Sequence, residues 1–458
     1  MRFSPHSKIK SVLAAAGVAV LAAGLVGCSG GGSGSGDGGS ATKGKVTWWS
    51  WTPDNNVADA EIAAFNEKYP DIKVTYRKVP IDNYAALLRP ALASNAGPDV
   101  FSVNATGSFS AKTFAAYAVD LTPDMKKLLG DDWKSKVFDG GTEAFTIKNR
   151  LVAAQFAKVG AGLMWINKST FDKYKLQPPK TYDEWVSVCK TFRSKGLGCF
   201  REGMAGSAGF VVDTMHSIVD SVEPGLWAKA LVGEAKWNSP GFVKSFEILR
   251  KMQDDGILDK GSTGIMQYPD VNNAFLTGKV PMVQMGTWYA QYSVKKNLAA
   301  AVEGAGGSSG GDSVVELPIP FPDVAGAGNP STVFSDVDAG HAVNAKSKNR
   351  NAAITFALWM GHTKEGQQAV VNNLDSVATL KGVQPDFDNI ELVAPDVQRP
   401  ELEKLATSLD GKLDPRYGTT LAAETSQAII DASQAMVSSN KSAQDVADGL
   451  QSVADSQG

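Results

Sequence analysis

Cysteine and histidine are scarce in this chain: 458 residues carry three Cys and four His. No two histidines stand in an H-x-x-x-H arrangement and no His–Cys spacing supplies four ligands, so zinc has no support and neither a metal nor a cofactor is expected. Basic blocks are missing too. The formal net charge is −3, and cutting after residue 27 removes three basic and no acidic side chains, for about −6. A mildly acidic surface argues against nucleic acid as a partner. Only one long apolar run occurs, Val12 to Val26, and no later stretch is long and apolar enough to cross a membrane. Nucleophile and phosphate motifs fare no better. Gly306-Gly307-Ser308-Ser309-Gly310 has the form G-x-S-x-G but sits in a Gly/Ser loop, not on a strand-to-helix elbow. Gly39 to Lys45 nearly spells a phosphate loop, yet Val46 replaces the required Ser/Thr and the segment precedes its strand. Paired carboxylates stay open, since any two of 48 acids could meet in space.

What the N-terminus does have is informative. A basic stub (Arg2, Lys8, Lys10) leads into the apolar run, of roughly 15 residues, which suits a signal-peptide core better than the ~20 needed for a span; a transmembrane anchor is the alternative. Leu25-Val26-Gly27-Cys28 then resembles the lipobox of bacterial lipoproteins, which implies cleavage before Cys28 and lipidation of its thiol. Two or three acyl chains there would anchor the protein firmly, where a single chain holds only marginally. Ser29 to Gly44 is nearly all small and polar and reads as a flexible tether. The expected location is outside the cytoplasm, lipid-anchored to the cell membrane. The remaining cysteines, Cys189 and Cys199, are ten apart; in that compartment they are either a disulfide closing a short loop or two buried thiols.

The mature chain exceeds 400 residues, more than one hydrophobic core usually supports, so two lobes are expected. Its first part alternates: a β-rich run at Lys45 to Ser50, a helical pattern at Val57 to Tyr69, a strand at Ile72 to Tyr76, a helix around Tyr84 to Ser94 and, past the Gly97-Pro98 break, a strand at Asp99 to Val103. That β-α-β-α-β order predicts a parallel sheet covered by helices. A second α/β region begins near Leu151. Thr181 and Glu184 form a capping box opening a helix to Lys195, and Asn238-Ser239-Pro240 opens another that ends at Gly256. Residues 303–330 read as a loop; Asn349 to Met360, Leu421 to Met436 and Ala443 to Val453 read as helices.

Aromatics carry the functional signal. Trp51 follows a strand, where open α/β sheets bind ligands, and Trp288 and Tyr289 follow Gly286-Thr287 after the strand Val280 to Met285. Sugar faces stack on such rings while neighbouring polar groups take the hydroxyls. Trp48 and Trp359 read as core.

The chain resembles the extracellular solute-binding proteins of ABC importers, of the family-1 type that includes maltose and multiple-sugar binders. The resemblance rests on segments in order: Val46-Thr47-Trp48-Trp49-Ser50-Trp51; Ala64 to Val74, similar to F-x-x-x-x-P-x-I-K-V; Gly97-Pro98-Asp99-Val100-Phe101; Leu163 to Lys168; Pro178 to Trp185; and Phe275 to Met282 with Gly286-Thr287-Trp288. It implies an α/β, two-lobe periplasmic-binding-protein fold of type II, hinged around a ligand cleft. The lobes fall at 45–155 with 312–362, and at 156–311 with 363–458, after a signal peptide at 1–27 and a lipidated Cys and tether at 28–44. The first crossing falls near Gln155 to Val159.

By the same resemblance the cleft positions are Trp51, Asp54, Asn104, Phe156, Lys158, Phe210, Trp288, Tyr289, Asp336, Asp338 and Tyr417. The implied function is non-catalytic: a monomer captures a small carbohydrate by lobe closure and delivers it to the membrane subunits of an ABC permease. Two departures, Gln155-Phe156 for the usual Tyr-Pro and Ile166 for Tyr, leave an atypical sugar or a non-sugar solute open. A surface glycoside hydrolase using Asp336 and Asp338 is the alternative from another class.

Overall fold

The computed structural model describes residues 38–206, 209–308, 314–331, 333–409, 413–418 and 421–457. The readings for the signal peptide, Cys28 and most of the tether lie outside the described residues, as do Ser309 and Gly310 of the G-x-S-x-G match.

Val, Thr and Trp in β1 (Gly44–Ser50) give a half-buried strand, with Val46 and Trp48 turned into the core. β1 pairs in parallel with β2 (Ile72–Lys78) and β3 (Val100–Asn104), through helices Asn55–Lys68 and Ile81–Ala93. The Gly97-Pro98-Asp99 turn is fixed by close approach and by hydrogen bonding. A Cβ on Gly97 would stand 2.9 Å from the Ala91 carbonyl oxygen. Asp99 Oδ2 accepts from Thr47 N at 2.8 Å and Thr47 Oγ1 at 2.9 Å, which locks the start of β3 to β1.

A short hairpin, β4 (Thr146–Ile147) and β5 (Arg150–Leu151), precedes β6 (Ala154–Ala161). Gly162, at φ 85°, then turns the chain straight into β7 (Leu163–Asn167). β7 is the centre of a second, antiparallel sheet in the order β8-β7-β9, with β8 at Met282–Met285 and β9 at Glu316–Pro320. β10 (Phe334–Val343) returns to the first sheet and completes the order β2-β1-β3-β10-β6, antiparallel to both neighbours.

Each sheet has its own packing. Around the first lie Trp48, Phe65, Phe101, Phe156, Phe356 and Trp359. The second separates two apolar clusters, one built on Trp185, Phe200, Trp227, Phe246 and Ile430, the other on Trp165, Phe275, Tyr289, Leu298 and Leu405. The Thr181–Glu184 capping box is present, Pro240 opens Pro240–Asp254, and the last two helices are Ala423–Ser438 and Ala443–Asp455. Cys189 and Cys199 are both buried and joined as a disulfide.

Three placements differ from the sequence expectation. The 303–330 segment contains β9, whose Glu-Leu-Pro-Ile-Pro sequence masks a strand; two prolines are tolerated because β9 is an edge. β9 pairs with the second sheet although the resemblance implies 312–362 belongs with the first, and residues 156–161 of β6 pair with β10 in the first sheet although it implies 156–311 belongs with the second. Among the described residues no helix is long and apolar enough to cross a membrane.

Candidate functional site

The carboxyl end of β1 feeds Trp51, Thr52, Pro53 and Asp54 into a loop, and the end of β8 passes through Gly286 into the short helical turn Thr287–Ser293. A third element, the segment after helix Lys364–Val371, joins them. Thr52 Oγ1 donates to Asp375 Oδ2 at 3.2 Å, and Gln291 Nε2 donates to Asp375 Oδ1 at 2.9 Å. Asp375 thus bridges a loop that follows the first sheet and a helical turn that follows the second. Burial, followed by the nearby Asp54 carboxylate, pushes Asp375 up to about 7. Asp54 pairs with Lys78 at the end of β2, and Tyr76 OH donates to the Pro53 carbonyl at 2.7 Å.

A polar aromatic group stands on the side of the second sheet. Trp288 Nε1 donates to Tyr268 OH at 3.1 Å, and the Phe210 ring centroid lies 5.6 Å from Tyr268 and 6.3 Å from Trp288. Phe210 is the first residue of helix Phe210–Val222, whose buried Asp213 holds Arg416 in a fork, with Nε at 2.8 Å and a terminal nitrogen at 2.6 Å. The Arg416 guanidinium carbon is 5.2 Å from the Trp288 ring centroid and 4.5 Å from that of Tyr417.

The 413–418 loop is stitched to β10. Ser335 N donates to the Asp414 carbonyl at 2.9 Å, and Asp336 Oδ2 accepts from Tyr417 N at 2.6 Å and Gly418 N at 2.9 Å. β10 also carries an irregularity. Val337 faces Lys158 and Ala339 faces Ala157, which leaves Asp338 as the extra residue of a bulge, just past the end of β3, where Asn104 pairs with Ala339. Bulges re-aim side chains in this way. Burial raises Asp336 and Asp338 to about 6, opposed by the Arg416 charge.

The structure therefore brings together Asp54, Trp288, Phe210, Asp336, Asp338 and Tyr417, with Trp51 behind them in the first wall. It does not bring in the other sequence-named positions. Phe156 is buried and stacked on His341 at 3.9 Å. Tyr289 is 0% exposed between Trp165, Phe275 and Tyr292. Lys158 Nζ donates to the Leu409 carbonyl at 2.7 Å and lies over Phe138. Asn104 Oδ1 is engaged by the backbone N–H of Ala105 at 2.6 Å, within its own turn.

Sequence reasoning missed Thr52, Asp213, Tyr268, Gln291, Asp375 and Arg416. Arg416 adjoins the chosen Tyr417 in Asp-Pro-Arg-Tyr-Gly, a loop that could have named it; Asp375 has no local signal. A separate apolar hollow of about 40 Å³, lined by Ala290, Leu374, Phe387, Leu405 and Leu409 among others, has none of these charged groups in its wall. Among the described residues no group of three His, Cys, Asp or Glu could hold a metal ion.

Comparison with known proteins gives a consistent result. The family model described as bacterial extracellular solute-binding protein matches residues 48–367. An uncharacterised ABC transporter extracellular-binding protein of Pyrococcus horikoshii is 25% identical over 263 residues, 56% of this chain and 58% of that one, so the match spans little more than half of that relative's length. The multiple sugar-binding protein of Streptococcus mutans is 23% identical over 71% of this chain and 72% of its own. Among solved structures, maltose-bound MalE3 of T. maritima superposes with a TM-score of 0.67 at 18% identity, covering 89% of this chain and 98% of that one. The fold is accordingly the two-lobe periplasmic-binding-protein fold.

Proposed function

This chain belongs to the bacterial extracellular solute-binding protein family, and from that premise we propose that it captures a small carbohydrate between its lobes and hands it, unaltered, to an ABC permease. The observation that carries this reading is the Thr52–Asp375–Gln291 bridge, which links segments that follow the two sheets beside the Phe210, Tyr268 and Trp288 aromatics. A multiple sugar-binding relative and a maltose-bound structural neighbour support the choice of ligand class. Micromolar affinity needs about −8 kcal/mol net. One or two ring contacts and several fully paired hydrogen bonds are sufficient for that. Ligand binding selects the closed form by binding it more tightly.

In this proposal the lobes follow the sheets, with crossings at Gly162, between β9 and β10, and near Asp375. Asp54, Phe210, Trp288, Asp336, Asp338 and Tyr417 face the solute. The protein works as a monomer, held to the outside of the membrane by acyl chains on Cys28. The hydrolase alternative gains nothing from the geometry: Asp336 is occupied by two backbone N–H groups, a poor state for a nucleophile.

A panel of mono- and oligosaccharides tests the reading. Thermal stabilisation by at least one sugar, accompanied by a smaller radius in X-ray scattering, is the expected result; a flat response across the panel overturns it. Mass spectrometry of the mature N-terminus tests the anchor.

A further inference from the structure

Resting on that carbohydrate-binding reading, we infer that the solute carries a protonated amine, as an amino sugar does, and that Asp338 is its counter-ion. The bulge in β10 sets Asp338 outside the strand ladder, beyond the end of β3, half-buried and with no hydrogen-bond partner among the described residues. Cations near it are already committed. Arg416 is held by both oxygens of Asp213, and Lys78 is paired with Asp54. Lys158 points elsewhere, to the Leu409 carbonyl and the Phe138 ring.

The balance of charge across the site is negative. Asp54, Asp213, Asp336, Asp338 and Asp375 stand against Arg416 and Lys78; Asp54 and Asp338 both bear on Asp375, while at Asp336 and Asp338 the Arg416 charge outweighs that of Asp213 without supplying a hydrogen bond to Asp338. A neutral sugar shut into this space removes water from Asp338 and brings no charge to replace it. An ammonium group brings that charge, and its hydrogen bonds to carboxylate are charge-assisted.

An independent observation points the same way. Gln291 is 5% exposed, and its amide nitrogen bridges Asp375 and the Trp288 carbonyl, yet its Oε1 has no donor. With the half-buried Asp338 it gives the site acceptors in want of donors. An ammonium is three donors and no acceptor. The Phe210, Tyr268 and Trp288 rings beside it add a quadrupole that attracts cations.

The test is calorimetry of the purified protein with matched sets of disaccharides: a neutral sugar, its 2-amino-2-deoxy analogue and the N-acetylated form. The amino member of the best-bound set is expected to bind at least ~10-fold more tightly than the other two, about one charge-assisted hydrogen bond. Adding salt should weaken only that member. Asp338→Asn should collapse the ratio to within ~3-fold, while Asp338→Glu keeps part of it. The wild-type ratio stands without either variant, should they fold poorly. Neutral or acetylated members binding as tightly as the amine overturns the amine inference and leaves the carbohydrate reading standing. Failure of every member of every set to bind overturns both.

Discussion

Trp51 and Trp288 follow the ends of strands in different sheets, and the two come out differently. Trp51 is 9% exposed, with its ring against Tyr84 at 5.2 Å and Phe109 at 4.8 Å, so it closes the core of the first sheet. Trp288 stays half-buried, bonded through its indole N–H to Tyr268 and flanked by Arg416. Identical side chains in similar strand-end positions therefore have separate duties. The first wall is a rigid apolar backing that carries a few polar groups at its rim. The second is built from aromatic and charged groups that hold one another.

The charged side of that contrast breaks most sharply. Asp213→Ala strands Arg416 in a buried position, and loss of ~3–5 kcal/mol of stability is expected, read by urea denaturation of the ligand-free protein. Substituting the two tryptophans sharpens the comparison directly. Trp51→Ala should cost about 3–5 kcal/mol of stability, whereas Trp288→Ala should cost less stability but lower ligand affinity ~10-fold or more. Equal stability losses with unchanged affinity in both would erase the distinction between the two walls.

The Cys189–Cys199 bridge lies away from both walls, in the cluster around Trp185. Replacing both cysteines by Ala should remove about 2–3 kcal/mol through the unfolded chain and leave ligand affinity unchanged. Group by group, the smallest effect is that of pH. Burial raises Asp375 and Asp220 to about 7 and Glu202 to about 8, so the folded state retains protons that the unfolded state gives up near pH 4. That contribution is complete below the unfolded pKa and is lost as pH rises through 7–8. His341 and His362, held neutral by burial at about 3, act oppositely and lose stability as pH falls from 6.5. Between pH 6.5 and 8.5 only the carboxyl groups count. Tm should therefore fall with rising pH, at no more than ~1.4 kcal/mol per unit for each group, and Asp375→Asn should flatten the slope.

The contrast also explains what was legible in the sequence. β1, β2 and β3 with their helices form from neighbouring residues, so periodicity and the Gly97-Pro98 break locate them to within a few residues. The second sheet is assembled from 163–167, 282–285 and 316–320, and its edge strand β9 reads as a loop because prolines hide it. Resemblance and position along the chain put Phe156 and Tyr289 at the cleft. Phe156 is turned inward in β6, where a strand's two faces differ by a single residue, and Tyr289 is turned inward by the short helical turn Thr287–Ser293.

By itself the sequence determined the local elements, the two-lobe α/β class and the aromatic and carboxylate side chains on offer, because hydrophobic period, caps and turns act over a few residues. Only the tertiary structure decided which of those side chains share a space. Asp375 meets Thr52 from 323 residues away and Arg416 meets Asp213 from 203. Asp338 is turned out of its strand by a bulge that exists only once β10 pairs with β6. Such contacts are set by the packing of whole sheets, and no window of neighbouring residues encodes them.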